Sequence, residues 1–507
     1  MQLGSHPRGV AGVAAADPDR VALVDGARTL TYGELDQRAN GAAALLADLG
    51  VGPGDPVGMC LHNRAEWFVA SHAIARVGAM FVPISPRLTA PEAAYIATDA
   101  AMAACFVEGP APPPAEGVVP IDVEAPSFAR PAAEPPRRDF LNTAPTLLGY
   151  TSGTTGRPKA VDRPAPVPAP EATTSVVATF WGYGPETVQL MCGPLYHTAP
   201  SAYAEYALWE GGRVVVQDGF TGERCLVLIE DHRVTHTQMV PAHFVRLLEA
   251  DWRAHDRSSI RLLIHAAAAC PVPLKWRILE VFPRGSVWEL YGATEAMATV
   301  ISPGEWMLKP GSVGRPFPGL EVRILDDGGN PVGPGVVGTI FVSTFPGATF
   351  AYRGDAEKTA AASRDGFVTV GDLGHLDAHG YLYLADRRVD LIVTGGVNVY
   401  PAEVENALAA DPDVADSAVI GLPDERMGQR VHAIVELRRG AAADPEGISS
   451  RLAGRLADFK RPRTYEFVDT LPRLANGKVL KWQLRQERSG GPGDVGSVAE
   501  SLQTGDT

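Results

Sequence analysis

The stretch that most constrains this chain is Tyr150-Thr151-Ser152-Gly153-Thr154-Thr155-Gly156-Arg157-Pro158-Lys159, which follows the apolar run Thr146-Leu147-Leu148-Gly149. A buried strand running into hydroxyls, glycines and a lysine builds a cradle for polyphosphate. Backbone N–H groups and hydroxyls meet phosphate oxygens, and glycine lets the backbone approach them closely. Lys159 adds a mobile positive charge. The spacing is not that of a P-loop, because no Gly-Lys-Ser/Thr follows the second glycine. Nor is it a nucleophile elbow, since Ser152 stands one place too late between Gly149 and Gly153.

Around this cradle the chain alternates between strand and helix patterns. Val21–Val24, Val57–Leu61 and Ala79–Ile84 read as strands. Thr31 and Glu34 have capping-box spacing before a helix marked by Leu35, Ala39, Ala42, Leu46 and Leu49, and Trp67–Val77 reads as a second helix. The alternation resumes between Arg213 and Leu290. Such a pattern predicts parallel sheets covered by helices. Pro110–Arg138, rich in Pro and Ala, reads as a loose surface excursion, and Asp162–Pro170 as a stiff extended segment. Gly311–Tyr352 reads as a small β-barrel or distorted sheet. Beyond it, short strands and helices predict a compact α+β unit of about a hundred residues. The expected class is α/β. A large N-terminal domain of two βα-layered subdomains plus a small β-barrel is followed by a small α+β C-terminal domain.

Composition narrows the function. A net charge of −14 without a basic stripe argues against a nucleic-acid partner. The five cysteines are scattered, with no C-x-x-C pair, so neither a disulfide framework nor a metal cluster is expected and a reducing cytoplasm fits. The N-terminus lacks the apolar core of a signal peptide, and no run suggests a membrane span.

Three more motifs carry chemistry. In Trp288-Glu289-Leu290-Tyr291-Gly292-Ala293-Thr294-Glu295, Tyr291 offers a face for a base, Thr294 a hydroxyl for phosphate and Glu295 hard oxygen for Mg²⁺. Asp372, after Gly371 at a strand end, can accept from two ribose hydroxyls. The run Ala266–Ala269 of tiny side chains lets a flat ring lie against backbone at a strand's C-terminal end. Taken in order with the cradle, these segments resemble the adenylate-forming superfamily: acyl-CoA synthetases, luciferases and the adenylation domains of peptide synthetases. The resemblance is strongest to acyl-CoA synthetases and runs from about Ala22 to about Arg485.

The resemblance implies ATP, Mg²⁺ and coenzyme A as co-substrates and cofactor. It places Thr151, Ser152, Gly153, Thr154, Thr155 and Lys159 on the phosphates, and Ala267, Ala268, Tyr291 and Gly292 around adenine. Asp372 and Arg387 fall on ribose, and Glu295 on the metal. Lys478 becomes the catalytic lysine on the C-terminal domain, assisted by Thr294 and Glu295. His197 lies beside the carboxylate, and Gly395 and Gly396 border the coenzyme A tunnel. The implied domains are 1–386 for adenylation, a hinge at 387–390, a mobile domain at 391–487 and a disordered tail at 488–507. Val389 stands where relatives carry a polar hinge residue, and a β-branched side chain is stiffer there.

The expected reaction joins an apolar carboxylic acid to AMP with release of pyrophosphate, then to coenzyme A. Two alternatives stay open. One is an adenylating enzyme that hands acyl-AMP to a separate thiolation enzyme or carrier protein. The other is a ligand-binding module without turnover. The acid is not legible in one sequence, and a homodimer is left open.

Overall fold

The computed structural model describes residues 6–110, 114–128, 130–137, 146–151, 159–162, 177–293, 296–345, 350–387, 390–394, 397–424, 426–453, 455–473 and 479–489. Four sheets organise them.

The capping box forms as its spacing requires. The Thr31 hydroxyl accepts from the Glu34 N–H and the Glu34 carboxylate accepts from the Thr31 N–H, opening helix Tyr32–Asp48. With helix Ala65–Val77 it covers one side of a seven-stranded sheet. Five strands of that sheet, in the order Thr146–Thr151, Met80–Pro83, Pro56–Cys60, Ala104–Val107 and, at the edge, Val119–Asp122, run parallel. The cradle strand Thr146–Thr151 turns back antiparallel into Lys159–Asp162, with Thr151 opposite Lys159.

One expectation is corrected here. Pro110–Arg138 is not simply a loose excursion, because Val119–Asp122 adds a parallel edge strand and buries Val118, Ile121 and Val123. Downstream of it, the Ala132 N–H donates to Gln37 O, and Asn40 donates to Ala132 O. Arg130 packs so close to Gly41 that a Cβ would have no room. The apolar alternation was hidden by Pro120, which an edge strand tolerates.

The nine-stranded sheet holds the second βα half. Strands Val21–Asp25, Arg213–Val216, Val188–Met191, His236–Met239, Leu262–His265 and Val287–Gly292 run parallel, with antiparallel strands at both edges. One face packs toward the first sheet, in a core that joins Leu23, Trp67, Phe106, Met191 and Ile264. The other face is covered by helices Gly222–His232, Pro241–Glu249 and Val272–Val281, through Leu226, Ile229, Phe244 and Ile278. Both faces are covered, which suits the apolar runs of strands such as Val21–Asp25 and Leu262–His265, whereas His236–Met239 buries His236, Thr237 and Gln238.

A six-stranded sheet follows, built on Gly338–Ser343 and the antiparallel pair Asp372–Leu376 and Leu382–Arg387. The C-terminal part folds on its own core of Ile392, Val404, Leu408, Val419 and Val435, around a five-stranded sheet whose long hairpin is Val414–Asp424 with Gly428–Leu437. Helix Pro401–Ala409 of this unit lies against helix Val272–Val281 and strand Leu382–Arg387. Among the described residues, no helix is long and apolar enough to cross a membrane.

Candidate active site

The C-terminal ends of the parallel strands in the nine-stranded sheet gather the site, as open α/β sheets do. Strand Val287–Gly292 delivers Tyr291, whose hydroxyl donates to Asp372 Oδ2 at 2.7 Å, across 81 positions of sequence. Asp372 opens a strand that pairs with Leu382–Arg387, and its backbone partner is Arg387. The base-stacking tyrosine and the ribose carboxylate expected from sequence thus meet, with the Arg387 backbone beside them. Tyr291, Gly292 and Ala293 line one side of a small surface hollow, and Val368, Thr369 and Val370 line another. Gly292 is required there: a Cβ would press on the backbone of Ala296 and Met297.

The tiny-residue run leaves strand Leu262–His265, which lies next to Val287–Gly292 in the sheet. Ala267 has φ 73°, a left-handed backbone that non-glycine residues rarely adopt. It is exposed and Ala268 half-buried, so their backbone is open to a flat ligand. Such strained positions gather at ligand clamps.

His197 caps the N-terminus of helix Thr198–Trp209, reached by a turn after strand Val188–Met191. Its Nε2 is buried without a hydrogen-bond partner, and burial pushes its pKa down to about 4. The ring is therefore neutral at pH 7. Sequence reading missed what holds this turn. Asn63, buried after strand Pro56–Cys60, donates to Gly193 O and Gln217 O, both at 2.9 Å, and accepts from the Leu195 N–H at 2.8 Å. One side chain thereby ties the first sheet's loop to the turn that carries His197. In sequence, an asparagine after a strand reads as a turn former, and nothing local reveals partners more than a hundred residues away.

Ser152, Gly153, Thr154, Thr155, Thr294, Glu295, Val389, Gly395, Gly396 and Lys478 lie outside the described residues. Thr151 and Lys159 are described as backbone at the two feet of the cradle hairpin. Arg473 and Val479 form an antiparallel bridge, and the Leu480 N–H donates to Pro472 O. Arg473 also pairs with Asp416 on the C-terminal hairpin.

Residues 10–348 match the family model of AMP-binding enzymes, and residues 403–478 match the AMP-binding enzyme C-terminal domain. The chain is 33% identical to indoleacetate–CoA ligase of Aromatoleum aromaticum, covering 93% of this chain and 96% of that protein. It is 32% identical to a fatty acid–[acyl-carrier-protein] ligase of Streptomyces coeruleorubidus, over 92% and 93% of the two chains. Among solved structures, o-succinylbenzoate CoA synthetase from Bacillus subtilis, in complex with its acyl-adenylate intermediate, superposes with a TM-score of 0.83 at 31% identity, covering 96% of this chain and 99% of that one. With both family models matched along the chain, it belongs to the AMP-binding enzyme family, as an adenylate-forming acid–thiol ligase that uses ATP and coenzyme A.

Proposed function

We propose that the protein activates an apolar carboxylic acid as its acyl-adenylate on the site just described, with the residue roles that follow. The observation that carries this reading is the Tyr291–Asp372 contact, which joins a base-sized ring face to a ribose-sized acceptor.

Two anions must meet in the first step. The acid's carboxylate oxygen attacks the α-phosphorus of ATP, and the bond to the bridging oxygen breaks as pyrophosphate leaves. Positioning and charge neutralisation are nearly the whole task. The cradle 151–159 grips the leaving β- and γ-phosphates, with Lys159 at its foot. Asp372 and Arg387 hold ribose, while Tyr291, Gly292, Ala267 and Ala268 border adenine. Thr294 donates to the α-phosphate. Glu295 has the hard oxygen donors that Mg²⁺ takes alongside phosphate, and the ion, when bound, shields phosphate charge. Lys478 bridges the carboxylate and the α-phosphate, where negative charge crowds. A neutral His197 can orient the carboxylate by a hydrogen bond without quenching its nucleophilicity.

In the second step the thiol sulfur of coenzyme A attacks the acyl carbon and AMP leaves. Rotation about 387–390, with Val389 at the hinge, withdraws Lys478 and brings Gly395 and Gly396 to the pantetheine path. We read 391–487 as the moving unit and 1–386 as the adenylation domain. A reducing cytoplasm suits the five free thiols.

The test is an assay of fatty, aromatic and polycyclic acids with ATP, with and without coenzyme A. Thioester and AMP appearing together support the reading. Acyl-AMP that accumulates with no thioester, and that is discharged by a carrier protein instead, replaces the second step. Sedimentation of the same preparation reads whether the enzyme is a homodimer.

A further inference from the structure

A buried charged cluster lies directly behind the nucleotide wall. Lys275, in the first turns of helix Val272–Val281, has no exposed side-chain surface, and its Nζ lies 2.5 Å from Glu289 Oε2. Glu289 sits on strand Val287–Gly292, two residues before Tyr291. His265 ends the neighbouring strand and is the register partner of Glu289. Its Nε2 stands 3.5 Å from the same carboxylate oxygen, without a hydrogen bond. The Trp306 ring covers the ammonium, with its centroid 4.9 Å from Nζ.

Taking two charges out of water costs several kcal/mol per ion, and an apolar pair of the same volume commonly stabilises a fold as well or better. Stability alone therefore gives little reason for this cluster. Its directionality gives a better one. An ion pair with a hydrogen bond fixes distance and orientation where apolar packing tolerates sliding. The three members stand at the roots of two segments. His265 is followed at once by Ala266–Cys270, with the left-handed Ala267, and Glu289 leads into Tyr291-Gly292. Lys275 belongs to the helix that resumes the chain after Cys270 and Pro271.

We infer that Lys275, Glu289 and His265 form a buried positioning triad that sets the gap between the Ala267–Ala268 wall and Tyr291, and so the fit of the adenine ring. This rests on the assignment of those residues to the nucleotide. The triad touches no substrate and acts through the two strand ends.

The experiment compares Glu289→Gln, Lys275→Met and the apolar double variant Lys275→Met/Glu289→Leu with the parent enzyme, and Tyr291→Ala as a check on the assignment. The readouts are KM for ATP, KM for the acid and for coenzyme A, kcat and Tm. The single variants are expected to raise KM for ATP about tenfold, the scale of a small misplacement, and to leave the other two KM values within about twofold. The double variant is expected to regain much of the parent's Tm and to keep the raised KM for ATP. A double variant with the parent's KM for ATP overturns the triad and leaves a merely structural ion pair. If Lys275→Met does not accumulate, the nearly isosteric Glu289→Gln and the apolar double variant decide, and an unchanged KM for ATP in either overturns the triad. An unchanged KM in Tyr291→Ala removes the nucleotide assignment instead, which separates the two failures.

Discussion

Two lysine–glutamate contacts of nearly equal length sit in opposite surroundings in this molecule. Lys275–Glu289 measures 2.5 Å inside the large unit, with side-chain exposures of 0% and 7%. Lys460–Glu403 measures 2.6 Å on the C-terminal unit, with exposures of 26% and 41%. The first is surrounded by Trp306, His265 and Cys270, and burial raises the Glu289 pKa against the pull of Lys275. The second is bathed in water and salt. The comparison teaches that distance says little about what an ion pair does. The buried pair fixes one geometry between helix Val272–Val281 and strand Val287–Gly292. The exposed pair joins two segments of the C-terminal unit at its surface, where water competes for both charges. The C-terminal unit also exposes apolar side chains, among them Val393, Val397 and Met427.

The contrast breaks most sharply at Lys275. Lys275→Met strands a buried carboxylate and should destabilise the protein by about 3–5 kcal/mol, read by urea unfolding. A loss below about 1 kcal/mol would erase the distinction between the two pairs. Next comes the lysine carried by the C-terminal unit. Lys478→Ala should slow adenylation by about 10²–10³-fold, or about 3–4 kcal/mol in barrier, by analogy with loss of one oxyanion donor. The same variant should still make thioester from supplied acyl-AMP. Equal loss in both half-reactions would mean that the lysine does not leave the site.

Acid sharpens the comparison through the histidines. Burial lowers His197, His236 and His243 to about 4, whereas hydrogen bonds donated to the Glu230 and Glu223 carboxylates raise His255. For a lowered histidine, the unfolded chain binds the proton below its ordinary value of 6.5 and the native one only near 4. Stability is therefore complete above pH 6.5 and falls as pH drops toward 4, by up to about 3 kcal/mol per buried ring. His243→Phe should flatten the slope of unfolding free energy against pH by about one proton between pH 4 and 6.5. An unchanged slope would show that the ring is already hydrated. The smallest effect belongs to the exposed pair. Lys460→Ala should cost less than about 1 kcal/mol and shrink further in high salt.

Candidate site groups could be named before any fold was known. The cradle, Tyr291, Asp372 and the tiny-residue run stand out by residue type in a short window, as types that phosphate, base and ribose would call for locally, and the structure brings Tyr291 and Asp372 of these together. Thr31 and Glu34 were legible for the same reason, since a cap is a contact three residues long. The edge strand Val119–Asp122 was not, because Pro120 masks its alternation and only the neighbouring strand Ala104–Val107 makes it a strand.

The amino-acid order alone determined the family resemblance, the strand–helix alternation and the list of groups that would face ATP. The tertiary structure alone decided which of them meet. Tyr291 reaches Asp372, Asn63 clamps the turn before His197, and Lys275 finds Glu289 only once the parallel strands have taken their non-sequential order in the sheet. The physical reason is range. Propensity, capping and turn chemistry act over a few residues, whereas burial, and the polar pairing that burial enforces, depends on which distant segments exclude the water between them.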